Sequence, residues 1–308
     1  MTQKEKHLKA MYSFVDKVKT DPNVIALLLW GSLSYYEVWE KSNIEFTMMI
    51  RDGSAPAAAG YFADEDGFEV NLHLIEVSKF KEEMQKSRAG EFWHSAWSKG
   101  TFVYCQDESL VEFFNDARHA GKDDMVLTFI SLIDRALYYV LKANKWITVY
   151  GNALYAQRFL HSAYVPAADM VLLQHGEEPT RESLLRAMEL EPEFMHDIFV
   201  IPSTKAMTVD EVRHTLQVYE DYLARHMDWW SKPILHFLED GEVKTLSHIG
   251  RHSAVGHGYS GIGHKSLDFL AERGIIGRVT QPSRVFKKSK LTVEEVAYFY
   301  IKEENFYV

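Results

Sequence analysis

Three short stretches hold the side chains that could do chemistry together. Gly31 and Ser32 follow a continuous apolar run, VIALLLW, at 24–30. A glycine there lets the backbone approach an anion closely, and a serine hydroxyl with its neighbouring amides can donate to phosphate oxygens. In SNIEF (42–46), Asn43 and Glu45 stand two residues apart, so on a strand they share one face. In FEVNLHLIEV (68–77), Glu69, Asn71 and His73 alternate with Val70, Leu72 and Leu74, giving one polar and one apolar side. A phosphate turn beside a strand with polar residues at i and i+2 could bind a phosphate and hold a metal ion beside it. Chemistry on a polyphosphate needs that neutralisation, an aligned attacking oxygen and metal ions on the attacking and leaving oxygens.

The elements that must position these residues follow from the pattern. Leu8, Met11, Phe14, Val15 and Val18 recur at helical spacing, so residues 4–20 form an amphipathic helix stopped by Asp21-Pro22-Asn23. The run 24–30 reads as a buried central strand, 33–40 as one or two helical turns, and 44–50 as the next strand. An Asp-Glu-Asp-Gly turn makes 61–77 a hairpin. A helix near 78–87 and a strand near 101–105 close this domain. From about Lys122 the period turns helical, with helices expected at 151–163, 166–175, 181–190 and 208–226, punctuated by Pro166, Pro179, Pro192 and Pro202. The expected fold is α+β: a small mixed-sheet domain at 1–120, a helical bundle at 121–227 and a third domain at 228–308.

The order of elements, the Gly31-Ser32 turn and SNIEF together resemble the nucleotidyltransferase superfamily of the DNA polymerase β type, and its small-molecule and antibiotic-modifying members in particular. SNIEF stands where that family has Ser-Asp-Ile-Asp-Leu. The resemblance implies that Gly31 and Ser32 hold the phosphates of an NTP. It implies that Asn43 and Glu45 occupy two of the positions that bind Mg2+, that the third falls on β-strand residue Glu69, Asn71 or His73, and that Glu45 and Glu69 are the catalytic carboxylates. It departs from the family at the metal strand. Asn43 offers a neutral carbonyl where an aspartate is expected, and Glu45 is one methylene longer than aspartate. Magnesium demands near-ideal octahedral geometry and binds mainly through carboxylates and phosphates.

The 308 residues carry a net charge of −10, which argues against a chain that coats nucleic acid along its whole length. From Lys244 to Lys290, however, nine basic residues stand against Asp268 and Glu272 alone. The region reads as helices followed by a two-stranded ribbon with basic residues near its tip. It resembles a winged helix-turn-helix, which implies DNA contacts through Lys265, Arg284, Lys287 and Lys288. GHGYSG (256–261) spells a dinucleotide fingerprint but follows no strand, so it reads as a turn. His248, His252, His257 and His264 lack a nearby cysteine or carboxylate for zinc and read as solvated. Trp229, Trp230, Tyr219 and Tyr222 read as helix-packing core. Asp134 and Arg135 stand on a helix that could face the cleft. A single cysteine, Cys105, precludes an intramolecular disulfide. With no signal-peptide pattern and no membrane-length apolar run, a cytoplasmic location without a membrane partner is expected.

Two functions remain open on these residues. One is a regulator with a nucleotidyltransferase fold, weakened or lost catalysis, a nucleotide or phosphorylated ligand at the Gly-Ser turn, and DNA as partner. The other is an active, magnesium-dependent enzyme that moves a nucleoside monophosphate from an NTP to a hydroxyl of a small molecule of the aminoglycoside type.

Overall fold

The computed structural model describes residues 1–301 apart from 36–37, 55–57, 88–91, 253–263 and 287. Lys287 and the GHGYSG stretch, with His257, lie outside the described residues. The chain divides into two compact units, Met1–Gly121 and Lys122–Val308.

The first unit is a five-stranded mixed sheet between helices, in the strand order β3-β4-β2-β1-β5. Its strands are β1 (Val24–Trp30), β2 (Ile44–Ile50), β3 (Gly60–Glu65), β4 (Phe68–Glu76) and β5 (Thr101–Cys105). β2 and β4 run parallel, and every other pair is antiparallel. The expected central strand is confirmed by burial, since Ala26, Leu27 and Leu28 are fully covered although they alternate between faces. The β3–β4 hairpin turns through Asp66 and Gly67, both at positive φ (53° and 80°), the two-residue geometry that matches strand twist.

Alternation along the strands separates two cores. On one face Leu27, Leu29, Phe46 and Leu72 pack against Met11, Phe14 and Val15 of helix α1 (Gln3–Val18). Phe14 lies nearly parallel to Phe46 with ring centres 5.7 Å apart. On the other face Ala26, Leu28, Met49 and Ile75 pack with Phe80, Trp97, Leu110 and Phe114. Gly31 begins the turn into a short helix, α2 (Ser32–Tyr35). The residues facing the second core come from helices α3 (Val77–Lys86), α4 (Phe92–Ser98) and α5 (Glu108–Ala117). The sequence reading placed α3 but no helix at α4 or α5. Both are short and interrupt no long periodic pattern, and α5 is announced by Asp107, whose side chain accepts from the Ser109 amide at 3.0 Å.

The second unit opens with two long helices, α6 (Lys122–Tyr150) and α7 (Ala153–Gln174). They are joined at Gly151 (φ 60°), and Asn152 caps α7 by accepting from the Tyr155 amide. The break expected at Pro166 does not occur, and one helix runs through it. Proline removes a backbone donor there, but Ala163, Ala167, Met170 and Val171 are fully buried around it, and that packing holds the helix together. Further helices follow at Ser183–Leu190 and Val209–Arg225, and a turn of helix widens at His196–Val200. The chain then forms a three-stranded antiparallel sheet in the order β6-β8-β7, from Lys244–Thr245, Thr292–Phe299 and Gly277–Arg284. Helices Leu246–His252 and Lys265–Glu272 stand between β6 and β7. Among the described residues no helix is long and apolar enough to cross a membrane.

Candidate functional site

The candidate site lies at one end of the second face of the first unit's sheet. Register brings its residues side by side. Glu45 pairs with Trp30 on β1 and with Asn71 on β4, and Asn71 pairs with Phe62 on β3. Paired residues of adjacent strands point to one face, so Trp30, Glu45, Asn71 and Phe62 form a row across four strands. One step along, Thr47 pairs with His73, and a further step along, Met49 pairs with Ile75.

That face changes character from one end to the other. Met49 and Ile75 are core. Thr47 is fully buried and accepts a hydrogen bond from the Trp97 indole nitrogen at 2.8 Å. His73 is covered by Trp93, with ring centres 4.2 Å apart and nearly parallel, and Trp93 stacks in turn on Trp97 at 5.0 Å. Burial pushes the His73 pKa down, which favours the neutral ring, and its Nδ1 has no hydrogen-bond partner among the described residues. Helix α4 thus roofs the middle of the face with two tryptophans one helical turn apart in FWHSAWS. Their spacing was the signal in the sequence, and the sequence reading passed over it. The alternation left His73 open as a third metal position, and the roof stacks Trp93 over its ring.

Beyond the roof stand the residues singled out by type and spacing. Glu45 is buried at 8% exposure, Asn43 and Asn71 are half-buried, and Glu69 is exposed at the rim. Gly31 sits directly against Glu45. It adopts φ 74°, and a β-carbon built on it would fall 1.9 Å from Glu45 Oε2. A residue other than glycine would be strained by the backbone and would collide with the carboxylate. Ser32 follows at the first position of α2, half-buried. The turn is tied by Ser34, whose amide and hydroxyl both donate to the Gly31 carbonyl, at 3.0 and 2.8 Å.

As a donor set the row and its rim offer two carboxylates, Glu45 and Glu69, and two neutral amides, Asn43 and Asn71. Among the described residues no group of three or more histidine, cysteine, aspartate or glutamate side chains is gathered so as to hold a metal ion. These residues do not by themselves form a magnesium cage, and further oxygen ligands would have to come from phosphates or water.

The basic residues of the C-terminal region are placed differently from one another. Lys265 is drawn to Asp268 at 3.3 Å, and Arg278 reaches the same carboxylate at 3.3 Å. Arg284 ends β7 and is exposed, and Lys288 is exposed in the connection to β8. Asp134 does not face a cleft. It is buried on α6, and its Oδ1 accepts from the Ser266 amide at 2.7 Å, capping the helix Lys265–Glu272 from outside.

No protein-family model matches the chain, and a search of curated proteins finds no relative. Among solved structures the chain is similar to a protein from Exiguobacterium sibiricum 255-15 described as nucleotidyltransferase-like, at 15% identity and a TM-score of 0.62, over 96% of this chain and 99% of that one. The likeness extends over both units, so the architecture is that of a nucleotidyltransferase-like fold.

Proposed function

We propose that the chain binds a nucleotide or other phosphorylated ligand at the Gly31-Ser32 turn, and that metal-dependent transfer at this site is weakened or lost. The contact between the Gly31 backbone and the Glu45 carboxylate, with Asn71 in register beside it, carries the reading. It supports a phosphate-binding turn next to one surviving carboxylate. Asn43 and Asn71 supply oxygen without charge, so the electrostatic hold on a divalent ion is reduced while the turn's donors are kept. Calorimetry with ATP in the presence and absence of magnesium tests this. Binding that gains little from magnesium is the expected result, and no binding under either condition removes the proposal.

A second reading keeps the enzyme: a magnesium-dependent nucleotidyltransferase acting on a small-molecule hydroxyl, of the aminoglycoside type. Its support is that Glu45, one of its two catalytic carboxylates, touches the turn. Pyrophosphate release that disappears in Glu45→Ala would establish this reading over the first.

On the regulatory reading the region from Lys244 onward acts as a winged helix on DNA. In support, the short strand β6, the two helices and the β7–β8 ribbon follow one another in a winged-helix order, and exposed Arg284 and Lys288 stand near the ribbon tip. Lys287 belongs to the same run of sequence, and Lys265, tied to Asp268, would act from the helix. A gel-shift series at two salt concentrations is the test. Binding that weakens with salt and with Arg284→Ala/Lys288→Ala supports it, and binding indifferent to both rules it out.

A further inference from the structure

No aspartate or glutamate stands between Asp134 and Asp169, in a chain whose net charge is −10. This stretch spans most of α6 and the greater part of α7, and it carries Arg135, Lys142, Lys145 and Arg158. Arg135 faces Asp169. Burial raises that carboxyl to about 6, and the Arg135 charge pulls against the rise. The other three cations have no carboxylate partner among the described residues. Lys142 lies over the Tyr138 ring at 5.4 Å, and Arg158 lies over Phe159 at 5.2 Å.

The same surface is apolar where a solvated helix face would be polar. On α6, Tyr138, Leu141 and Val149 fall at helical spacing on the face that carries Lys142 and Lys145. At the turn between the helices Val149, Tyr150 and Leu154 are 63%, 57% and 72% exposed. Trp146 joins the two helices, its ring 4.5 Å from Tyr150 and 4.2 Å from Tyr155. Beside them is a cleft of about 410 Å³ along the first half of α7, lined by Leu154, Tyr155, Arg158 and His161 with Asn152 and Gln157. The Gln157 amide nitrogen donates to the Lys205 carbonyl at 2.8 Å, and its oxygen accepts from the Met207 amide at 3.1 Å. The His161 ring nitrogen donates to the Pro202 carbonyl at 2.8 Å. With these polar groups satisfied, the apolar wall and the Arg158 guanidinium remain to meet a ligand.

We propose that this α6–α7 corner is a docking surface for an acidic amphipathic segment of a protein partner. An apolar side chain of that segment enters the cleft, and its carboxylates meet Lys142, Lys145 and Arg158. The charge of the corner, opposite in sign to the chain as a whole, selects an acidic partner and speeds encounter. The cleft favours a protruding side chain over the flat surface of a bilayer. Three cations among more numerous apolar groups fit a peptide better than a nucleic-acid backbone, whose binding rests on many phosphate contacts.

The test uses the full chain and a fluorescein-labelled synthetic helical peptide, with leucine and phenylalanine on one face and glutamate on the other. Its anisotropy is followed at two salt concentrations. The expected result is saturable binding that weakens with salt, about tenfold weaker in Lys142→Glu/Lys145→Glu and weakened in Leu154→Ser, with no binding of the same peptide carrying lysine for glutamate. Circular dichroism checks that the variants fold, and Arg158→Gln serves if the double variant does not. Failure of the acidic peptide to bind, or equal binding by every variant, overturns the proposal. So does binding of phosphatidylglycerol vesicles or a DNA duplex that the corner variants abolish, or self-association that they abolish, where the peptide itself does not bind.

Discussion

Oε2 of Glu45 lies 1.9 Å from the point where a β-carbon on Gly31 would stand, so the Gly31-Ser32 turn and the one carboxylate of its row are a single packed unit. Gly31→Ala therefore combines two penalties, a left-handed φ of 74° for an L-residue and the displacement of a buried acidic side chain. Together they are expected to cost about 2–4 kcal/mol in urea denaturation. The two parts separate in a double-mutant cycle. In a Glu45→Ala background the same glycine substitution should cost only about 1–2 kcal/mol, the backbone share. Equal costs in both backgrounds would mean that the carboxylate yields freely.

Adding charge to the row should raise affinity for a divalent ion. Asn71 pairs with Glu45 across β2 and β4, and Asn43 lies two residues before Glu45 on the same face. In Asn43→Asp/Asn71→Asp, Mn2+ binding followed by electron paramagnetic resonance should strengthen at least about tenfold over the parent chain, since hard cations are held by carboxylate oxygens. The added carboxylates stand close to Glu45, so without metal the variant should also lose stability at neutral pH through like-charge repulsion. A variant that gains no metal affinity would show that the row is not aimed at a common point.

Local pattern disclosed the sheet better than it disclosed what covers it. The strands at 24–30, 44–50 and 101–105 were legible because each is an apolar or alternating run bounded by turn residues. Gly31 was legible as a turn, but its closeness to Glu45 depends on the β1–β2 register, which no local pattern reports. The roof over His73 was missed for a similar reason: Trp93 and Trp97 gain their meaning only from the strand beneath them. Pro166 misled because a proline rule is local, whereas the burial that carries α7 through it is tertiary. The role of Asp134 was likewise hidden, since the helix it caps lies far along the chain.

Thr47 holds the roof in place. Its hydroxyl accepts the Trp97 indole N–H at 2.8 Å, and both residues are fully buried. Thr47→Val preserves the shape and leaves that donor without a partner, which should cost about 1–3 kcal/mol in chemical denaturation. The roof adjoins Glu45 and Asn71, so the substitution should also weaken nucleotide binding at the candidate site, read by calorimetry. A stability loss with unchanged binding would separate the roof from the site.

Asp134 should make stability fall as pH rises. Burial on α6 lifts its pKa to about 7 from an ordinary 3.8, against the opposing pull of the Ser266 and Lys265 backbone amides and the Lys265 charge. Because the native value lies above the unfolded one, the folded chain holds this proton more tightly than the unfolded chain does. Its contribution is therefore full below the unfolded value and is lost as pH climbs through about 7. The loss from this one group is on the order of 2–4 kcal/mol. Asp134→Asn keeps an oxygen to accept from the Ser266 amide and cannot ionise. It should equal or trail the parent chain at pH 4 and exceed it at pH 8, in denaturation curves recorded at both. Ser266 and Lys265 begin the helix Lys265–Glu272, so hydrogen exchange in that helix should slow in the variant at pH 8. Parallel stability curves across this range would show that the carboxyl ionises inside the fold at little cost.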